Sequence, residues 1–290
     1  MSASRRRFLR SGVTLGGGLL AAPALSDTPA SAPTNETLRT ISSLRTIHGD
    51  FSDKQIPDAD IEQILGASVR AASASAMQSY SIVVVRDPEA QRKVCGYRGS
   101  CLLLYLLDYT RVLATAKRLG HEYAPANLEA FVTGSTNTIL AVQTAVIAAK
   151  SLGIDSLLTN GVHRGDMERL WEMLGLPRQY CFPLIALVLG YPAKEPAFQK
   201  GRLKGPGIVH RGTFHPLTDE EADAIVGQYD DKALHLGLVE DWDKNGHKHY
   251  LDWFHKDWIG RNARPGETQI LQRVRQAGFI ESAGGRHAIS

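Results

Sequence analysis

The alternation of apolar and polar positions predicts several amphipathic helices along the chain. Apolar residues recur at three- and four-residue steps, which places them on one face of a helix. The sequence Pro57-Asp58-Ala59-Asp60 is typical of a helix start, and Asp87-Pro88-Glu89 opens another helix in the same way. The pattern predicts helices over residues 36–47, from Pro57 to Val69, after Asp87, and over residues 163–174.

Short apolar runs predict strands, and the first of them, rich in β-branched residues, predicts a buried strand. These runs are Tyr80–Val85, Cys101–Leu107 and Phe182–Leu189. The longest apolar stretch, residues 126–152, contains Asn137 and Gln143. These polar residues, together with the glycine that follows at position 153, favour a central buried helix over a membrane span.

The predicted helices and strands do not alternate regularly along the chain. Their order predicts an α+β fold, a three-layer α-β-α domain with a mixed or antiparallel sheet, and argues against a doubly wound parallel sheet. The sequence has no glycine-rich dinucleotide motif after a strand and no phosphate-binding loop of the P-loop type. It also lacks the motifs of serine hydrolases and zinc proteases, so hydrolytic chemistry has no positive support.

Residues 1–24 have the three parts of a secretory signal. A basic head that contains Arg5 and Arg6 precedes a short glycine-rich apolar stretch and the small-residue site Ala22-Pro23-Ala24. The two arginines followed by x-Phe-Leu resemble the twin-arginine export signal, a route that carries folded proteins. We therefore expect export to the periplasm or an equivalent compartment. The signal is expected to be cleaved after Ala24 or Ala32, or kept as an anchor.

Composition divides the remaining chain into a linker, a main domain and an extension. Residues 25–35 are rich in Pro, Ala, Ser and Thr, which is typical of a flexible linker. Residues 36–204 contain the predicted strands and form the main domain. Residues 205–290 carry seven of the ten histidines and three of the four tryptophans. They lack a strand pattern, so we expect a helical and irregular extension packed over the core or over a partner subunit.

The histidines and cysteines give little support for a metal site. His247, His249 and His255 have the chemistry of metal ligands, but no neighbouring motif fixes a coordination geometry, so no metal is predicted. Cys95 and Cys101 are able to pair in an exported protein, although the odd count leaves a third thiol over. Buried, inert thiols are the favoured interpretation of the cysteines.

The charge of the chain argues against a nucleic-acid partner. The full sequence has 33 Lys+Arg against 30 Asp+Glu, a formal net charge of +3. Residues 1–24 hold four arginines and no acidic residue, so the rest of the chain has 29 basic and 30 acidic residues. Its net charge of −1 differs from the basic excess typical of nucleic-acid-binding domains.

Four segments of the main domain carry candidate chemistry. They are Arg45-Thr46-Ile47-His48 followed by Phe51; Ala71-Ala72-Ser73-Ala74-Ser75-Ala76-Met77-Gln78-Ser79-Tyr80; Leu152-Gly153-Ile154-Asp155-Ser156 leading to Thr159-Asn160-Gly161; and Leu189-Gly190-Tyr191-Pro192 with Lys200-Gly201-Arg202-Leu203-Lys204. In this order, across residues 40 to 205, they resemble the FMN-dependent nitroreductase superfamily. The resemblance implies an FMN-dependent oxidoreductase and a homodimer with FMN at the subunit interface.

The residue types in these segments suit the parts of a flavin mononucleotide. The phosphate requires cations and hydroxyl donors, the ring edge requires amide donors and acceptors, and serines suit the polyol chain or the ring carbonyls. The resemblance assigns FMN binding to Arg45, Thr46, His48 and Arg202 at the phosphate, to Gln78, Asn160 and Gly161 at the ring, and to Ser73 and Ser75 at the polyol or ring carbonyls.

The sequence departs from the family pattern at several positions. An arginine or lysine is usual where His48 stands, a second basic residue is frequent where Leu44 stands, and an asparagine is usual where Ala76 stands. Histidine titrates near neutrality, so a phosphate contact from His48 would depend on pH. Taken singly, the candidates also fit plain roles, such as a surface cation for Arg45 or Arg202, and the serines could cap a turn before the strand.

The leading hypothesis is an exported FMN-dependent oxidoreductase. It transfers two electrons through flavin N5 to or from a small, aromatic or conjugated substrate. No side chain is assigned as a catalytic acid or base, because the flavin carries the redox step. NAD(P)H is scarce outside the cytoplasm, so a quinol or a redox partner protein is the expected electron partner. The alternatives are a non-catalytic binding protein that kept the flavin fold, and specialised flavin chemistry such as reductive dehalogenation.

Overall fold

The computed structural model describes residues 35–260 and 268–280. The predicted export signal, residues 1–24, and the predicted linker up to residue 34 lie outside the described residues. Residues 281–290 of the predicted extension also lie outside them.

The centre of the domain is a four-stranded sheet in which every described strand pairing is antiparallel. Of the two predicted sheet types, the antiparallel one is therefore confirmed. The sequence pattern does not predict the short edge strand, because only two of its five residues are apolar. The strands are β1 (Tyr80–Val85), β2 (Cys101–Asp108), β3 (Asp155–Thr159) and β4 (Cys181–Gly190), in the order β1-β2-β4-β3.

Helices cover both faces of this sheet. They are α1 (Glu36–Ser42), α2 (Asp58–Ser68), α3 (Pro88–Cys95), α4 (Thr110–Arg118), α5 (Leu128–Ser151), α6 (Met167–Leu174), α7 (Asp219–Asp230), α8 (Tyr250–Trp253, continued by a π-helical segment Phe254–Ile259) and α9 (Gln269–Gln276). Buried residues of α2 and α5 pack on one face, and buried residues of α3, α6 and α9 pack on the other. The predicted three-layer α-β-α architecture is confirmed.

Strand β2 is buried along its whole length because both of its faces are covered. Leu102 and Leu104 face the α3–α6–α9 layer, whereas Leu103 and Tyr105 face the α2–α5 layer. Successive side chains of a strand point to opposite faces, so a central strand covered on both sides reads as a continuous apolar run. This double burial explains why the strand is easily predicted from sequence.

The first predicted helix, residues 36–47, is too long. Helix α1 ends at Ser42, and the residues after it run beside β3 instead. Thr46 forms a parallel β-bridge with Ser156, and the amide of Ile47 donates a hydrogen bond to the Ser156 carbonyl at 3.0 Å. Ile47, which fits the apolar spacing of a helix, is instead buried beside the sheet, where only 5% of the residue is exposed.

The helix predicted over residues 163–174 begins later than expected. Residues Asn160–His163 form a 3-10 turn, and α6 starts only at Met167. Asp166 caps the helix by accepting hydrogen bonds from the amides of Glu168 and Arg169. A side-chain cap of this kind fixes the first turn of a helix, so the boundary lies at the aspartate.

Helix α5 is the predicted long central helix, but only one of its faces is buried. Ala141 and Ala145 are fully buried against α2 and the sheet, whereas Val132 is 55% exposed and Ile139 is 42% exposed. By length and composition α5 could cross a membrane, yet its packing is that of a core helix with an apolar outer face. The prediction of a buried helix is therefore correct for one face and wrong for the other.

The end of the described extension returns to the core. Val274 of α9 and Phe279 are buried in the α3–α6–α9 layer, and the amide of Tyr180 donates to the Ala277 carbonyl at 2.7 Å. The three cysteines are free and buried, as predicted. Burial raises the pKa of Cys101 to about 11 and that of Cys181 to about 12, so both thiols are inert.

Candidate functional site

One group of candidate residues lies along the outer edge of β3. The β-bridge between Thr46 and Ser156 carries Arg45, Thr46 and His48 past the first residues of this strand. The side chains of Thr46 and His48 are exposed there. A hydroxyl and an imidazole are thus presented to solvent next to Arg45, as the phosphate-binding prediction requires.

The Arg45 guanidinium lies between two carboxylates. Its Nε is 3.1 Å from both carboxylate oxygens of Asp155, and its Nη2 is 2.6 Å from Asp155 Oδ2. The other edge of the guanidinium faces Glu195, with Nη2 3.2 Å from Glu195 Oε2 and Nη1 in contact with Oε1. Lys150 Nζ lies 2.8 Å from Asp155 Oδ1, so the buried carboxylate has two cationic partners.

The two carboxylates differ in burial, and both are kept ionised. The Asp155 side chain is 3% exposed, and the Glu195 side chain is 71% exposed. Burial opposes ionisation of Asp155, but hydrogen bonds from Arg45 and Lys150 outweigh it and lower the Asp155 pKa. The hydrogen bond from Arg45 also lowers the Glu195 pKa. Hydrogen bonds to Glu195 and then Asp155 raise the Arg45 pKa, so the guanidinium is always charged.

The residues that follow β3 are packed closely against α3. The Gly161 amide donates to Thr159 Oγ1 at 3.0 Å, and a Cβ atom at Gly161 would lie 2.2 Å from the Cys95 carbonyl oxygen. Contact with the Cys95 backbone therefore accounts for glycine at this position without any ligand. The neighbouring Asn160 is exposed and keeps its side-chain amide available at the surface.

A cavity of about 420 Å³ opens beside Gly161. Tyr97 lines it, and Tyr97 Oη is also 3.3 Å from His48 Nε2, so one residue of the cavity wall contacts the Arg45–His48 segment. Its volume lies in the range of about 300–1,000 Å³ that is common for small-molecule sites. Its walls also include Arg92, Lys93, Val162 and Leu170.

Arg202 follows a segment that is bonded to the residues before Arg45. Gln199 Nε2 donates to the carbonyl of Ser42 at 2.9 Å and to that of Leu44 at 2.8 Å, which ties its segment to the residues just before Arg45. The Arg202 side chain is exposed, and its Nη1 donates to nearby carbonyls of its own loop.

A second group of candidates lies in the loop before β1. Ser73 Oγ accepts a hydrogen bond from the Gln78 amide at 2.7 Å, which closes the loop. Asn137, a buried residue of α5, accepts from the Ala74 amide at 2.8 Å and donates to Ser79 Oγ at 2.8 Å. The loop is therefore held at both ends by neutral hydrogen bonds. Ser73 closes the turn before the strand, which was part of the plain alternative for it, but its side chain does not cap the 3-10 turn that follows.

The backbone of this loop adopts unusual conformations. Ser75, Ala76 and Gln78 have φ values of 50°, 55° and 47°, in the left-handed region that residues other than glycine rarely occupy. Arg111 of α4 holds the loop by donating to the Gln78 carbonyl and, at 3.3 Å, to the Tyr80 carbonyl. Backbone strain of this kind persists where surrounding contacts enforce it, and it is concentrated at functional sites.

The two groups lie at opposite edges of the sheet. We call Arg45, Thr46, His48, Asn160, Gly161 and Arg202 the β3-edge group, and Ser73, Ser75 and Gln78 the β1-edge group. Strands β2 and β4 separate the two edges. Three strand spacings correspond to about 14 Å between the edge strands, before any displacement along them. One chain therefore places the two groups at different edges of the sheet.

The donors of both groups fit FMN by their chemistry. Within the described ranges, the side chains of Thr46, Ser75, Gln78 and Asn160 make no hydrogen bond, and all of these residues are exposed. Arg202 adds a cation, and in the part of the chain that the structure describes its guanidinium bonds only to loop carbonyls. Hydroxyls and cations suit a phosphate, and amides suit the polar edge of a flavin ring.

Sequence reasoning missed the residues that position these donors. Asp155 and Glu195 hold Arg45, whereas Asn137 and Arg111 hold the loop before β1. Only Asn137 carries a sequence signal, because a polar residue within a mostly apolar helix must find a partner when it is buried. Tyr97 was also missed, although it follows a helix end at Gly96 and precedes a strand, where ligand-contacting loops are frequent.

Three histidines of the extension are paired with carboxylates, whereas His255, the third candidate metal ligand, forms no ion pair among the described residues. A histidine–carboxylate pair of this kind fastens one segment of the extension to another. Among residues 35–260 and 268–280, no group of histidines, cysteines and acidic residues has a metal-binding arrangement. The pairs are His235 Nδ1–Glu240 Oε1 at 2.7 Å, His247 Nε2–Asp257 Oδ2 at 2.8 Å and His249 Nδ1–Asp230 Oδ2 at 2.6 Å.

Comparison with known proteins supports the predicted resemblance. Residues 41–109 match the model of the nitroreductase family. The FMN reductase [NAD(P)H] of Bacillus subtilis is 29% identical over 209 residues, which cover 68% of this chain and 81% of that protein. An NADPH-dependent oxidoreductase of Staphylococcus epidermidis is 25% identical over 252 residues, which cover 80% of this chain and 93% of the relative.

Solved structures with the same fold align with this chain over nearly all of their own length. Nitroreductase A from Vibrio parahaemolyticus aligns with a TM-score of 0.68 at 23% identity, over 86% of this chain and 99% of its own. The NADPH:FMN oxidoreductase from Vibrio harveyi aligns with a TM-score of 0.68 at 22% identity, over 85% and 99%. At these identities the likeness concerns the fold, and it confirms the predicted nitroreductase-like architecture.

Proposed function

We propose that this chain, an FMN-dependent oxidoreductase with the fold of the nitroreductase superfamily, transfers two electrons to or from a small aromatic or conjugated substrate. When bound, FMN supplies the two-electron step at N5 of its ring, and the chain supplies position, charge and exclusion of water. One observation carries the proposal. It is the placement of Arg45 with the exposed Thr46 and His48 beside β3, where His48 contacts Tyr97 in the wall of a cavity of about 420 Å³.

The phosphate end of FMN is assigned to the β3-edge group. Asp155 fixes one edge of the Arg45 guanidinium, so that the other edge points outward towards an anion. Thr46 adds a hydroxyl, His48 adds an imidazole, and Arg202 adds a second permanent cation. Charge-assisted hydrogen bonds of this kind are about twice as strong as neutral ones, so the phosphate anchors the cofactor.

The ring and polyol are assigned to Ser73, Ser75 and Gln78 together with Asn160. Because the β1-edge group lies about 14 Å from β3 across the sheet, we assign it to the FMN of a second copy of the chain. A homodimer then completes each site with one β3 edge and one β1 edge. Val132, Ile139 and Leu140 on the outer face of α5 are 55%, 42% and 41% exposed, and they give this dimer its apolar contact.

The dimer is tested by placing charge on α5. Ile139→Glu is expected to shift the protein from dimer to monomer in analytical ultracentrifugation, because a buried unpaired carboxylate is strongly unfavourable. It is also expected to weaken FMN binding, since each site would lose its β1-edge group. Leu119→Glu, which places the same charge on an apolar residue that is 72% exposed and lies outside α5, is the matched control. A monomeric Ile139→Glu protein that keeps full FMN affinity would contradict a shared site.

FMN binding itself is tested on the purified full chain. We expect protein isolated under gentle conditions to be yellow, with a flavin absorbance spectrum, and the released cofactor to be identified as FMN. Gln78→Ala is expected to weaken flavin binding by about tenfold, the effect of one good hydrogen bond. Protein that is colourless and does not take up added FMN would contradict the proposal.

The identity of the electron donor is tested separately. The relatives are named as NAD(P)H- or NADPH-dependent, which favours a nicotinamide donor, whereas export favours a quinol or a redox partner protein. Anaerobic mixing of the flavin-loaded protein with NADPH or with a soluble quinol distinguishes the two by the rate at which flavin absorbance bleaches. Bound FMN that neither donor reduces would favour the non-catalytic binding protein.

Export is proposed from Arg5 and Arg6 in the basic head of residues 1–24. The twin-arginine route requires both arginines, so the double substitution Arg5→Lys with Arg6→Lys is expected to retain the protein in the cytoplasm. Cell fractionation with flavin fluorescence as the readout measures this. Arg10→Lys is the control, because it keeps the pair intact. Equal export of the unmodified protein and both variants would contradict this route.

A further inference from the structure

The outward edge of the Arg45 guanidinium is occupied by Glu195. Glu195 lies in the loop after β4, and its side chain is 71% exposed, whereas the Arg45 side chain is 21% exposed. Both Nη atoms of Arg45 face the Glu195 carboxylate, in the arrangement that an arginine also uses for a phosphate. The residue assigned to the cofactor phosphate therefore already holds an anion that belongs to the chain.

Arg45 and the charged residues around it form a cluster with no net charge. Arg45 and Lys150 contribute two positive charges, and Asp155 and Glu195 contribute two negative charges. A phosphate monoester brings a further −1.5 to −2, roughly, at neutral pH. Two anions at one guanidinium edge repel each other, so the phosphate and Glu195 compete for the same Nη atoms.

Asp155 and Glu195 are not equivalent in this competition. Asp155 is buried and holds both Arg45 and Lys150, so its departure would leave a buried charge without partners. Glu195 is held by Arg45 alone among the described residues, and its carboxylate is already largely in solvent. Only Glu195 is able to leave at little cost.

We infer that Glu195 is an internal competitor for the FMN phosphate and that it sets the affinity of the chain for phosphorylated flavin. It neutralises Arg45 when no phosphate is present and moves into solvent when the phosphate binds. Asp155, with Lys150, is the positioning residue that keeps the guanidinium in place in both states. This inference rests on the proposed function, because it concerns the same cofactor site.

The test compares FMN with riboflavin, which lacks the phosphate. Flavin-loaded full chain is diluted, and the dissociated flavin is measured by fluorescence for the unmodified protein and for Glu195→Gln. We expect Glu195→Gln to bind FMN about fivefold more tightly, the size of an exposed ion pair, and riboflavin with unchanged affinity. The quantity that decides is the ratio of the two affinities.

Two control variants keep the measurement specific. Glu62→Gln removes the same charge from an exposed position of α2 and is expected to leave the FMN-to-riboflavin ratio unchanged. In an Arg45→Lys background, Glu195→Gln is expected to lose its effect, because lysine cannot offer two parallel donors. Glu195→Ala replaces Glu195→Gln if the latter fails to fold.

The outcomes separate this inference from the proposed function. FMN binding with the same FMN-to-riboflavin ratio in Glu195→Gln overturns the competitor role and leaves the cofactor site intact. Weaker FMN binding by Glu195→Gln also overturns it, because Glu195 would then support the phosphate. A full chain that binds neither flavin, in any variant, overturns the proposed function and this inference with it.

Discussion

The β3 edge and the β1 edge hold their candidate residues by different interactions. At the β3 edge, Arg45 is fixed by ion pairs with Asp155 and Glu195. At the β1 edge, the loop is fixed by neutral hydrogen bonds to Asn137 and by carbonyl contacts of Arg111. One edge is organised by charge and the other by backbone geometry.

This difference matches the two ends of the proposed cofactor. A phosphate is recognised through charge, and a charged site tolerates exchange of one exposed anion for another. A flavin ring is recognised by the placement of donors and acceptors, so its loop must be held rigidly. The two edges are therefore expected to respond differently to loss of charge and to loss of hydrogen bonds.

The largest expected effect is at the charged edge. Asp155→Asn leaves Arg45 and Lys150 next to each other without their buried counter-charge, and we expect the free energy of unfolding to fall by about 3 kcal/mol. Urea denaturation measures this. Asp53→Asn removes an exposed ion pair with Arg98 (2.9 Å) and is expected to have a much smaller effect. Equal losses in the two variants would show that burial of Asp155 does not matter.

Acidification removes the Asp155 charge reversibly. Burial opposes ionisation, but hydrogen bonds from Arg45 and Lys150 outweigh it and lower the Asp155 pKa in the folded state. The stabilisation is thus fully present above the unfolded pKa of about 3.9 and is lost as pH falls through the lower folded pKa. We expect the stability difference between the unmodified chain and Asp155→Asn to be constant from pH 7 to about pH 5 and to shrink below about pH 4. If the stability difference between the two proteins instead grows on acidification, the folded state raises the Asp155 pKa and does not lower it.

The neutral edge is tested at Asn137, with a smaller expected effect. Asn137→Ala leaves the Ala74 amide and Ser79 Oγ without their buried partner, and we expect the free energy of unfolding to fall by about 2 kcal/mol. This loss should not depend on pH, unlike that of Asp155→Asn. Gln143→Ala, an exposed change on the same helix, is the control. A pH-dependent loss in Asn137→Ala would remove the contrast between the edges.

The sequence predicts those parts of the molecule whose signal is local. Strands β1, β2 and β4 are predominantly apolar, and each of their predicted bounds agrees with the structure to within one residue. Burial is complete along β2 and nearly so along β4, but the prediction of a buried strand is wrong for most of β1, where Val84 is 41% exposed. Strand β3 was missed because Asp155 and Thr159 serve the site and break the apolar run. The nine candidate site residues follow from local motifs, and their contact with a ligand remains a prediction.

The division of the site into two edges could not be predicted from local pattern. It depends on the strand order β1-β2-β4-β3, which is fixed by pairings between residues far apart in the chain. The contact of Arg45 with Asp155, 110 residues away, is of the same kind. Residue type shows that both side chains are charged, but only the fold shows that they neutralise each other.

The smallest expected effect concerns the strained loop of the β1 edge. Ala76 has a φ of 55°, which is unfavourable for alanine and open to glycine, so Ala76→Gly is expected to raise the free energy of unfolding by about 0.5–1 kcal/mol. Asparagine tolerates this conformation better than alanine, and Ala76→Asn is expected to stabilise in the same direction by less. Ala72→Gly, in the same loop but without a left-handed φ, should instead be slightly destabilising. If thermal or urea unfolding gives Ala76→Gly and Ala72→Gly the same sign, the left-handed backbone is not maintained in solution, and geometry is not what organises the β1 edge.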